Sequence, residues 1–212
     1  MSMLQLNDEL LRELEDRDVE DVVQLDHSVE ISRLQHEVLR LREQIKRLGV
    51  YRFMAYRDDL TGLHNRRYFD EHLRDECARV ERFTDYQFAL IIVDINDFKR
   101  VNDTYGHAAG DELLCETARL LTETLRRVDM CCRLGGDEFG LILPETDEHG
   151  AKLMIARLNE RLAKYTSHRP YRLSISLGYA CPWSNSPDPT NILCKADEAM
   201  YAAKRRHKKN MK

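Results

Sequence analysis

The 212-residue sequence contains no run of eighteen apolar residues, so nothing in it reads as a membrane span. It lacks a positive surplus too. Thirty-three Lys and Arg against 37 Asp and Glu leave a formal net charge of -4, which argues against a general nucleic-acid binder. The start, MSMLQLNDELLRELED, is acidic where a signal peptide is basic and then apolar, so no leader is expected. Six cysteines show no metal-ligand spacing. Cys131 and Cys132 are adjacent, and a strand would turn them to opposite faces. All six read as reduced packing residues of a cytoplasmic protein. Residues 1–56 carry no recognisable sensor, haem or phosphoacceptor motif, so the sequence discloses no input.

What is present is enough chain for one well-cored domain plus an appendage. Residues 1–30 hold ten acids against two arginines and read as an irregular, acidic helical lead segment. From Ile31 the pattern turns regular. Ile31, Val38 and Ile45 take the a positions of a heptad, and Leu34, Leu41 and Leu48 the d positions. β-Branched a with Leu at d favours two parallel strands, with Glu37 at g facing Arg42 at e of a partner. The expectation is a dimeric coiled coil over 31–56. The plainer alternative is one amphipathic helix lying on its own domain.

Phe88 to Ile95, FALIIVDI, is nearly all apolar, as a central strand buried on both faces would be, and Asp94 near its end calls for a partner or a metal. Gly106 and Gly110 are expected to loosen the backbone before a helix through Leu113, Leu121 and Leu125. MCCRL and FGLIL flank Gly135-Gly136, a hairpin signal because tight primed turns need φ > 0. A helix over about Asp147 to Tyr165, a strand over Arg172 to Ala180 and a helix over about Asn191 to Lys208 complete 57–212. Strand, helix, strand, strand, helix, strand is the order of a ferredoxin-like, palm-type α+β fold: an antiparallel sheet flanked by helices. Right-handed crossover leaves room for the third strand beside the first, antiparallel to it. Asp137 then lies beside Asp94, 43 residues away in sequence. Taken alone, Asp137 and Glu138 are either a metal-holding pair or an acidic tip that keeps an edge soluble.

Gly135-Gly136-Asp137-Glu138-Phe139 resembles the signature of the GGDEF family, the catalytic domain of bacterial diguanylate cyclases. Asp58, Leu60 to Leu63, Asn65 and Arg66 match its opening DxLTGLxNR, and ADEAMYAAKRRHKK is similar to its closing ADxALYxAKxxGR, with His207 for Gly and Lys208 for Arg. The match covers residues 57–208. It implies condensation of two GTP into cyclic di-GMP and two pyrophosphates in a homodimer, with two Mg²⁺ (or Mn²⁺) per active site. It also implies Asp94, the Ile95 carbonyl and Asp137 as metal ligands, and Asp137, with Glu138 in support and Lys99, at the chemistry. Phe98, His107, Gly135, Gly136, Lys204 and Lys208 are implied substrate contacts, and Asn102 and Asp111 guanine readers. Arg126 and Asp129, as RxxD, with Arg157, would form an inhibitory product site. Beside that stands the bland reading of Arg126 and Asp129 as a helical i,i+3 ion pair, and of the basic end as a solvated helix terminus. Three rivals remain: a silent cyclic di-GMP receptor, a cyclase of relaxed base choice, and a scaffold working through its coiled coil.

Overall fold

The computed structural model describes residues 30–49, 51, 53–165, 170–182 and 186–210. The expected acidic lead segment thus lies, but for Glu30, outside the described residues. The chain divides into two compact units between Ala55 and Tyr56. In the first unit, helix α1 spans residues 30–49. Its heptad side chains are exposed on the single chain, from 45 % at Leu41 to 68 % at Ile45. Glu37 bonds Arg40 of its own helix at 2.7 Å. No described helix is long and apolar enough to cross a membrane.

The second unit runs α2 (Arg66–Arg82), β1 (Phe88–Ile95), α3 (Phe98–Tyr105), α4 (His107–Thr124), β2 (Met130–Gly135), β3 (Glu138–Pro144), α5 (Glu148–Lys164), β4 (Ile175–Ala180) and α6 (Pro189–Asn210). The sheet order is β2-β3-β1-β4, and each neighbouring pair is antiparallel. The expected α+β architecture is therefore present, with β3 inserted between β1 and β2.

All eight residues of β1 are buried, which explains its unbroken apolar run. Ala89, Ile91, Val93 and Ile95 join the core with Leu113, Leu121, Met154 and Leu158. Phe88, Leu90 and Ile92 join a second core with Phe69, Leu73, Ile192 and Met200. Cys131 belongs to the first cluster and Cys132 to the second, as strand alternation requires. All six cysteines are free thiols.

Two backbone expectations need correcting. Gly110 does not loosen the chain; it lies inside α4, and the break falls at Gly106, whose φ of +87° separates α3 from α4. Gly110 is glycine for contact: a Cβ there would stand 1.9 Å from Asn102 Oδ1. The last strand also begins at Ile175, not Arg172. Gly178 is a second close approach, where a Cβ would meet Met200 N at 2.0 Å and Ala196 O at 2.3 Å. Those are α6 backbone atoms with no rotamer to yield. Gly178→Ala is expected to destabilise by about 3 kcal/mol or more. Thermal unfolding should register this as a drop of roughly 6–12 °C.

Candidate active site

The site is built where β1 ends. Asp94 pairs in register with Glu138 of β3, so both side chains lie on the same face of the sheet. One residue on, Ile95 N donates to Asp137 O at 3.2 Å and fixes the hairpin tip against β1. The tip is a two-residue turn of Gly136 and Asp137, with φ of +51° at Gly136 and +148° at Gly135. The glycine pair thus supplies the positive φ, but the turn is displaced one residue, and Asp137 sits in it. A bulge between Arg133 and Gly135 accommodates the extra residue.

Asp94 is 4 % exposed. Burial, foremost, raises its carboxyl above the usual range; the Lys204 ammonium pulls it back down, and Asp137 pushes it up again. Lys204 Nζ of α6 donates to Asp94 Oδ2 at 2.7 Å and lies 2.6 Å from Oδ1. Oδ1 itself lies outside hydrogen-bond geometry and is buried without a donor. Burial likewise raises Glu138, helped by Asp197, Asp94 and Asp137. Asp94, Asp137, Glu138 and Asp197 crowd one sheet end, and of the cations near them Lys204 is the one bonded to Asp94.

Beside them opens a cleft of about 410 Å³, lined by Ile95, Phe98, Lys99, Asp137, Lys204 and Lys208 together with Asp97, Arg100 and Asp103. Lys204 and Lys208, one helical turn apart, both face it. The first turn of α3 also borders it. The N-cap of α3, Asp97, takes a left-handed φ of +57° and makes no side-chain cap, which leaves the first amides of the helix available to an anion. Asn102, half-buried, faces Gly110 instead, and its Oδ1 is buried without a partner. Asp111 follows Gly110 directly, and His107 opens the same helix; both are exposed.

Among the described residues no three His, Cys, Asp or Glu form a ready-made metal cluster. Mg²⁺ does not require one, because it keeps waters and takes one or two carboxylates plus substrate phosphates. Asp94 and Asp137 fit that mode, with the Lys204 ammonium resting against the Asp94 carboxylate.

Arg133 is a site residue that sequence reasoning missed. Its Nη1 meets both Asp58 carboxylate oxygens at 3.2 Å, and its Nη2 donates to Gly136 O at 2.9 Å. Its backbone N donates to His64 O at 2.7 Å. Burial alone would raise Asp58, but hydrogen bonds from Thr61 and Arg133 outweigh it and lower the carboxyl. The sequence signal was slight: Asp58 opens the matched DxLTGLxNR stretch, and Arg133 stands two residues before the glycine pair.

The residues expected at an inhibitory site gather elsewhere, at the other end of β3. Arg126 and Arg157 line a separate cavity of about 260 Å³ with Leu143, Thr146 and Met154. The Arg126–Asp129 pair, 2.8 Å, is not a helical ion pair: it closes a turn after α4, with Asp129 N donating to Arg126 O. Arg126 also donates to Thr146 Oγ1 at 2.8 Å.

Residues 55–210 match the family described as "Diguanylate cyclase, GGDEF domain". The chain belongs to the GGDEF family. The chain is 33 % identical over 179 residues to the probable diguanylate cyclase DgcT of Escherichia coli, covering 82 % of this chain and 39 % of that protein. The chain thus spans well under half of DgcT. The coiled coil and GGDEF domain of DgcB from Caulobacter crescentus, solved with c-di-GMP, superposes with a TM-score of 0.71 at 27 % identity, covering 84 % of this chain and 94 % of that one. Diguanylate cyclase SiaD of Pseudomonas aeruginosa, solved with its activator SiaC, gives 0.66 at 30 % identity over 96 % of this chain and 84 % of that one.

Proposed function

We propose that this chain is a diguanylate cyclase that joins two GTP into cyclic di-GMP with release of two pyrophosphates. One observation carries it: Asp94, near the end of β1, and Asp137, in the turn before β3, lie close enough to repel each other beside a cleft walled by Lys99, Lys204 and Lys208. That juxtaposition of hard oxygen ligands and phosphate-seeking cations suits metal-assisted phosphoryl transfer.

Asp94, the Ile95 carbonyl and Asp137 would hold divalent cations, two per site, which when bound polarise the α-phosphate and lower the pKa of the attacking 3′-hydroxyl. Asp137, at the tip and bordering the cleft, is placed to accept that proton, with Glu138 behind it. The uncapped α3 amides with Lys99, Lys204 and Lys208 take the triphosphate. The undonated Asn102 oxygen and Asp111 accept the guanine N–H groups. Adenine lacks donors there and would leave the site's acceptors unpaired. Cyclic di-GMP is twofold symmetric, so two sites must meet, and α1 with its apolar heptad seam is suited to hold two copies together.

The deciding experiment incubates purified protein with GTP, ATP and Mg²⁺ and resolves the products chromatographically. Cyclic di-GMP from GTP alone is the expected result; binding without turnover would make the chain a receptor, and mixed dinucleotides a cyclase of relaxed base choice. Product feedback is a separate expectation. Arg126 and Arg157 line one cavity, with Asp129 bonded to Arg126, and would bind guanine edges and phosphates of the product. Arg126→Ala should raise the product concentration for half-inhibition at least tenfold, equivalent to ~1.4 kcal/mol. An unchanged inhibition curve would remove the site from the proposal.

A further inference from the structure

Lys204 stands where a metal ion would be expected to stand. Its ammonium reaches both oxygens of a carboxylate that is 4 % exposed, at 2.6 and 2.7 Å. A buried carboxylate must be paired, and here the pair is supplied from α6, 110 residues away. No second acid of the cluster shares the ammonium: among the described residues Lys204 bonds Asp94 alone. A divalent cation approaching the same two oxygens meets that charge at contact distance, so ammonium and metal cannot both occupy it.

We propose that Lys204 is the resident counter-ion of the metal site, which a divalent cation must displace from Asp94, and that the freed ammonium passes to the triphosphate. This rests on the reading of Asp94 as a metal ligand. Lys204 and Lys208 line the same cleft as Lys99 and the start of α3, so a short swing of a flexible side chain carries the charge from carboxylate to phosphate. Metal and nucleotide then favour each other's binding, because the nucleotide supplies the ammonium with a new anion at the moment the metal takes its old one. A site built this way stays neutralised without ligand and resists loading with metal alone.

The test measures Mn²⁺ binding by electron paramagnetic resonance, without turnover. Without nucleotide, Lys204→Met is expected to bind Mn²⁺ at least tenfold more tightly than the wild type, and Asp94→Asn to lose that binding. Adding a GTP analogue with an α,β-methylene bridge should tighten Mn²⁺ binding strongly in the wild type and much less in Lys204→Met. In the wild type without nucleotide, acylation of Lys204 read by mass spectrometry should rise once Mn²⁺ is raised to concentrations at which the resonance signal shows the site filled, a measurement that needs no variant to fold. Equal Mn²⁺ affinity in wild type and Lys204→Met, or a Lys204 acylation rate unchanged when Mn²⁺ fills the site, overturns the counter-ion. Absence of Asp94-dependent Mn²⁺ binding in every form, with the analogue present, overturns instead the metal reading beneath it.

Discussion

Asp137→Asn is expected to lower cyclic di-GMP formation by ~10³-fold or more while leaving the melting temperature within a degree or two. Both halves follow from where the residue sits. Asp137 occupies the hairpin turn, and its backbone carbonyl, which the substitution keeps, accepts from Ile95 N. Among the described residues no hydrogen bond or ion pair ends on its carboxylate, so folding gains nothing from the charge. On the proposed mechanism, catalysis would lose a metal ligand and a proton acceptor together; a well-placed general base alone accounts for ~10²–10⁴. The comparison variant is Asp94→Asn, which should lose activity as fully and also melt differently, because Lys204 is left without its carboxylate. Parallel chromatography and thermal melts separate the two. Turnover within tenfold of wild type in Asp137→Asn would remove that side chain from the chemistry.

Removal of residues 1–55 should produce the second large effect, and one that depends on concentration. The cut falls at the division between the two compact units, so the remaining domain keeps both of its cores. In the proposed reaction two active sites must meet to close a symmetric product. A tether holding two domains together acts as an effective concentration in the millimolar range. At nanomolar protein the truncated domain is therefore expected to turn over ~10²-fold more slowly per chain, and to recover as concentration rises. Wild type should show nearly constant turnover per chain over the same range. Replacing Leu34 and Leu41 by Asn, without truncation, should shift wild type toward the same behaviour, since both are exposed heptad residues that a partner helix would bury. Concentration-independent turnover by the truncated chain would refute a role for α1 in bringing sites together.

The parts of the fold legible from sequence were those set by local pattern. An apolar run as continuous as Phe88 to Ile95 has few homes other than a central strand, and the two glycines before Asp137 announced a hairpin. Asn65 and Asp147 cap α2 and α5 with side-chain bonds to Tyr68 N and Gly150 N, as their residue types favour. Topology then carried Asp94 to the start of β3. What stayed hidden was decided by contacts between distant residues. Gly110 reads as a helix-weakening residue until Asn102 is found against its Cα. The spacing of Arg126 and Asp129 fits a helix as well as a turn, and only the end of α4 at Thr124 tells them apart. No periodicity connects Lys204 with Asp94, or Arg133 with Asp58; each pair is assembled by the sheet and the helices packed on it.

The Arg133 guanidinium ties the first turn of the domain, through Asp58, to the carbonyl one residue before Asp137. The placement of the acidic tip is thus not a private property of its hairpin. It is referenced to the doorway by which the chain enters the domain, some seventy-five residues earlier. A rotation imposed at that doorway would be passed to the acidic tip through one guanidinium that holds both ends.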